Sequence, residues 1–283
     1  MFWNKARPSD NVNDRRKGKD ARTLTGKKLG AGLVTAALAG TVIYSTLTPA
    51  PLQHTTEENA FSLSPSVIED PQLRFIESIL GDTEDTWKQL FTQADLHYPP
   101  PALTLFDNDI ASACGYASAS SGPFYCPVDR QIYLAPGFFD QMAHEYSAVG
   151  DFAQAFVIAH EVSHHVQLEM GLSAPFETAL LARQPVTGDA GLEVRTELQA
   201  DCLAGVWAHQ AQQRLVWLEP GDIDEALNAA SVFGDDYLQR AQNLTIRPET
   251  FSHGTSPQRS RWFSRGLDSG RVDACDTFNA AQL

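Results

Sequence analysis

The ten residues Val157 to Val166, VIAHEVSHHV, constrain this chain more than any other stretch. His160, Glu161, His164 and His165 stand there inside an otherwise apolar run. On an α-helix, residues four apart share a face. His160 and His164 can then grip one metal ion, with Glu161 on the same side. The spacing H-E-x-x-H is short enough to arise by chance, so the rest of the chain has to decide its meaning.

A catalytic zinc takes three protein ligands and leaves a fourth position for water. One extended form of the motif would place Gly at 167 and a third His at 170. Those positions hold Gln167 and Met170, which excludes that subclass. Downstream, Glu193 to Gln210 reads as a helix, and Glu197 and Asp201 stand four apart on one face among Leu198, Ala200, Leu203, Ala204 and Val206. Carboxylates on so apolar a helix need a partner. Glu197 is the expected third ligand, with Asp201 and Glu193 as alternatives. Asp201, one turn on, is placed to accept the outer N–H of a ligand imidazole and fix its tautomer.

The charge distribution bears on location. Residues 1–28 carry nine Lys/Arg and three Asp, a net +6, so the remainder of a chain at −14 carries −14 − 6 = −20. An acidic body does not favour nucleic acid or anionic lipid as partners. Residues 1–28 are expected to be a disordered, basic, cytoplasmic segment. Residues 29–47, LGAGLVTAALAGTVIYSTL, hold no charge and nearly span a bilayer as a helix. They are read as an uncleaved, single-pass signal anchor; a cleaved signal peptide is disfavoured by the long basic leader and by Pro49-Ala50-Pro51. The positive residues before the span place the N-terminus in the cytoplasm and the body outside the inner membrane. Residues 48–70 read as a linker.

The folded domain is expected over residues 71–283. Two short helices are predicted, one ended by Gly81 and one capped by Asp82 or Thr83. A strand follows at Leu103 to Phe106, then a small-residue loop from Ala111 to Gly122. A hairpin is predicted around Pro127 to Arg130, and helices fill the rest of the chain. Asp222 and Glu225 suggest a capping box, and Ser256-Pro257 opens the last helix. His253, just before that helix, is a candidate oxyanion donor. Tyr125 is a weaker substrate-binding candidate. His165 is expected to pack or face solvent, and His144 and His209 carry no spacing signal. The fold class is therefore α+β, mainly α, with a small sheet preceding the site helix.

Ser9 to Arg16, Thr83 to Trp87, Gly122 to Pro127, Gly150 to Gln154, the HEVSHH core, Glu197 to Cys202 and His253 to Ser256 together resemble the bacterial membrane-anchored family of "putative neutral zinc metallopeptidases". The resemblance runs nearly end to end. It implies a zincin-like, gluzincin-like domain with one Zn²⁺ held by His160, His164 and Glu197. In zinc peptidases of that type an edge strand pairs with the extended substrate, and Gly122 to Cys126 is assigned that role; an ordinary core hairpin is the alternative. Ser163 stands where related cores often have Gly, and a helix accepts either.

None of the four cysteines has a C-x-x-C spacing. In an oxidising periplasm Cys114 would pair with Cys126 and Cys202 with Cys275; two other pairings and free thiols stay open. The expected activity is a zinc-dependent endopeptidase in which Glu161 is the general base toward a metal-activated water. The alternatives are a non-catalytic, membrane-tethered zinc domain that binds a partner, and a zinc amidase of cell-wall peptides. A protein or peptide substrate and the membrane are the expected partners.

Overall fold

The computed structural model describes residues 1–16 and 70–283. The expected anchor at 29–47, the linker to residue 69 and the basic residues 17–28 lie outside the described residues. Among the described residues no helix is long and apolar enough to cross a membrane.

Helix α1, Pro71–Gln93, starts where Pro71 follows Asp70, whose side chain accepts from the backbone N–H groups of Gln72 and Leu73. The two short helices expected here are one continuous helix. Gly81 does not end it; a Cβ at that position would overlap the carbonyl oxygen of Arg7, so the glycine lets another segment lie against the helix. Asp82 is not a cap either. It accepts from Trp207 Nε1 at 2.8 Å and pairs with Arg214.

The segment lying against α1 is the N-terminus. Residues 1–28 are expected from composition to be disordered, and for residues 1–16 the structure corrects this. Strand β1, Val12–Asp14, pairs in parallel with β2, Ala102–Leu105, with Val12 opposite Leu103. Ser9 N–H donates to Glu77 O at 2.8 Å, and the Ser9 hydroxyl, the Asn11 amide and Arg7 all donate to the buried Glu84 carboxylate. The Met1 amine lies 2.8 Å from Asp151 and 3.3 Å from Asp222. Composition misleads because the basic side chains here have acidic counterparts on the body. The folded domain thus includes residues 1–16 as well as those from Asp70 onward.

The main sheet has the order β1-β2-β6-β5. The predicted hairpin is present: β5, Phe124–Cys126, runs antiparallel to β6, Gln131–Leu134. The small-residue stretch expected as loop holds a separate hairpin of β3, Asp109–Ser112, and β4, Gly115–Ser118. Cys114–Cys126 and Cys202–Cys275 are both disulfides, the pairing expected from an oxidising compartment.

After the short α2, Gly137–Tyr146, come α3, Asp151–Met170, capped by left-handed Gly171, and then α4, Ala174–Leu181. They are followed by α5, Leu192–Leu215, α6, Asp222–Val232, α7, Asp235–Ala241, and α8, Ser256–Ser269. The capping box expected at α6 is absent, because Glu225 is used elsewhere and accepts from the Phe152 N–H opening α3. A capping box does open α8, from Thr255 and Gln258. Helix α3 packs on α5 and α6, and α5 lies closely on α8. That last contact rests on glycine: a Cβ on Gly266 would overlap the Cys202 carbonyl oxygen, and one on Gly205 would overlap that of Phe263. Gly266→Ala is accordingly expected to lower stability by about 1–3 kcal/mol through overpacking, read by denaturant melts; an unchanged midpoint would show that the helices separate freely.

Candidate metal centre

Helices α3 and α5 pack with His160 and His164 facing Glu197. His160 Nε2 lies 3.1 Å from Glu197 Oε2, and His164 Nε2 lies 3.4 Å from Glu197 Oε1. One donor atom from each of these three residues falls within 4.8 Å of the others. The remaining ring nitrogens are taken. His160 Nδ1 donates to Asp201 Oδ1 at 2.9 Å, and His164 Nδ1 donates to Gln167 Oε1 at 2.9 Å. Both Nε2 lone pairs are thereby directed to the same point as the carboxylate, which is the donor set and outer hydrogen bonding a zinc ion takes. Glu193, the alternative ligand, is outside this cluster of three.

Electrostatics make the same demand. Burial works against charge on His160, yet Asp201 and Glu197 outweigh it and raise its pKa to about 10. His164 is likewise raised by Glu197 against its burial. Burial would push Glu197 up, but His164 and His160 hold it well below the usual carboxylate range. The buried Asp201 and the half-buried Glu197 call for positive charge, which a proton or a metal cation can provide.

Two supports escaped the sequence reading. Arg259, buried on α8, donates through Nε and Nη2 to both oxygens of Asp201 at 2.8 Å each, and through Nη1 to Phe233 O at 3.0 Å. Burial pushes Asp201 up and Arg259 more than offsets it, so the carboxylate stays ionised against His160. The signal was present, since Arg259, Trp262, Phe263 and Gly266 fall at i, i+3, i+4 and i+7 on the buried face. The second support is a run of side-chain amides. Gln167 Nε2 donates to Gln199 Oε1 at 3.0 Å, and Gln199 Nε2 donates to Cys275 O at 3.0 Å. Hydrogen bonds thus run from His164 to the backbone of the second disulfide.

The triad opens onto a cleft of about 770 Å³, which Glu161, Tyr125, His253 and Arg259 also line. Glu161 is buried and stands between His160 and His164 in sequence. His253 is 47% exposed on its side chain, with Nδ1 3.5 Å from Asp235 Oδ1. Burial lowers its pKa, but Asp235 and Glu197 raise it overall. The other Asp235 oxygen accepts from the backbone N–H groups of Ser252, His253 and Gly254 at 2.7–2.9 Å, fixing the loop. Tyr125 has its hydroxyl turned away from this chemistry. It donates to His165 Nδ1 at 2.9 Å, while His165 Nε2 donates to Pro99 O at 2.6 Å. His165 is fully buried, and burial lowers its pKa. Strand β5 is the edge of its sheet on the cleft side.

The chain is 40% identical to Uncharacterized protein YpfJ of Escherichia coli K12 over 290 aligned positions, covering 98% of this chain and 99% of the relative. It is 41% identical to Uncharacterized protein Mb2605 of Mycobacterium bovis over 214 positions, covering 72% of this chain and 70% of the relative. No solved structure matches it. The family model "Putative neutral zinc metallopeptidase" matches residues 1–278, and the chain belongs to that family.

Proposed function

We propose that the protein is a membrane-attached, zinc-dependent endopeptidase. The observation that carries this reading is the convergence of His160, His164 and Glu197 on one point in a peptide-sized cleft that Glu161 also lines. One bound Zn²⁺ would supply Lewis acidity and lower the pKa of a water toward ~7. Glu161 takes the proton from the attacking water and delivers it to the leaving amine. His253, held by Asp235, donates toward the oxyanion. Asp201 and Gln167 keep the two imidazoles in the tautomer that leaves Nε2 unprotonated. The free edge of β5 offers backbone hydrogen bonds to an extended chain, with Tyr125 contributing its ring to the cleft wall.

The cleft is lined by Phe138, Phe156, Leu168, Phe176, Phe233 and Leu238, which favours substrates with bulky apolar residues near the scissile bond. Phe233→Ala is expected to lower kcat/KM about 10-fold or more toward such peptides with bound zinc unchanged. Fluorogenic peptide series measure this, and an unaltered preference would remove Phe233 from substrate contact. Hydrolysis of muropeptides but of no linear peptide would favour a cell-wall amidase instead. Zinc binding without any hydrolysis would leave a tethered binding domain.

Membrane attachment is proposed through residues 29–47, and the two disulfides favour an oxidising, extracytoplasmic location for the body.

A further inference from the structure

We propose that residues 1–16 and residues 70–283 lie on one and the same side of the membrane. A single crossing carries a chain over a hydrocarbon core of about 30 Å. Yet Arg16 Nη2 lies 2.9 Å from Asp70 Oδ2, so the two described residues that flank 17–69 meet at one place. No second apolar run could bring the chain back: residues 17–28 are dense in Lys and Arg, and residues 48–69 hold Pro51, Glu57, Glu58 and Glu69 among polar neighbours.

The docking of residues 1–16 is built into the body. Leu103 N–H donates to Asn11 O and Arg15 N–H to Leu105 O, both at 2.9 Å, on either side of the β1–β2 pairing. Glu84 is 6% exposed and takes Ser9 Oγ at 2.6 Å, Asn11 Nδ2 at 2.7 Å and Arg7 Nη2 at 2.7 Å. With residues 1–16 across a membrane, this carboxylate would lose those three donors and β2 would be left an open edge. The atoms nearest a Cβ on Gly81 in mid-α1 all belong to Arg7 and Ser9 of this segment. A cytoplasmic N-terminus and an extracytoplasmic body therefore exclude each other in this fold. The positive residues of the leader bear on which side both occupy, not on separating them.

Single cysteines test this in the full-length chain, because all four native cysteines are disulfide-bonded. Asp10→Cys, with Asn4→Cys as a second reporter, marks the N-terminal segment, and Asp268→Cys marks the body; all three positions are exposed. Spheroplasts expressing each variant are treated with a membrane-impermeant maleimide before and after permeabilisation. The expected result is one pattern for all three, whether labelled from outside or only after permeabilisation. Labelling of Asp268→Cys from outside, with Asp10→Cys and Asn4→Cys reached only after permeabilisation, would overturn the proposal, as would the reverse split. Activity plays no part in the readout, so the outcome stands apart from the peptidase reading.

Discussion

Glu161→Gln is expected to bind zinc as the parent does and to lose about 10²–10⁴-fold in kcat with little change in KM. Glutamine keeps the size and hydrogen bonding of the side chain but cannot take a proton. Glu161 belongs to none of the donor pairs among His160, His164 and Glu197, so metal content measured on the purified variant should hold. A fully active Glu161→Gln protein would refute the general-base assignment. Full activity in preparations that carry no zinc would refute the metal reading itself. Replacing Glu197 with Gln separates the two effects, since there zinc retention should fall together with activity.

Arg259→Met is expected to destabilise the domain by about 3–5 kcal/mol, because it leaves Asp201 ionised, buried and short of its main counter-charge. Denaturant melts read this directly. The double variant Arg259→Met/Asp201→Leu should recover much of that loss, since neither charge then remains buried alone. Its zinc affinity should nonetheless stay about 10–100-fold below that of the parent, because His160 Nδ1 no longer has an acceptor to fix its tautomer. Stability and metal affinity would thus move apart in one protein. If the double variant is as unstable as Arg259→Met alone, the ion pair is not the source of the loss.

The site helix was legible because its own period and its Gly171 stop set its limits, and because H-E-x-x-H works within one turn of one element. Glu197 and Asp201 were legible for the same local reason, as an acidic pair on an apolar helix. What escaped depends on partners distant in sequence. Gly81 looks like a helix stop until Arg7 is known to pass over it. Asp222 and Glu225 have the spacing of a cap, yet the demands of Met1 and of the Phe152 N–H draw them away. Arg259 reads as one more charged residue until α8 turns it toward Asp201. Composition failed most plainly at residues 1–16, where the acidic partners of a basic, polar segment lie far along the chain.

The amide run from His164 through Gln167 and Gln199 to the Cys275 carbonyl has a further consequence. Its far end is held by a bridge that closes a loop with a sequence separation of 73, a constraint worth about 4 kcal/mol in the chain-entropy account. The Cys202 end of the same bridge directly follows Asp201, which orients the other imidazole. Both histidines are thus positioned from opposite ends of one covalent link. A molecule whose thiols are kept reduced would therefore hold His160 and His164 less firmly in place.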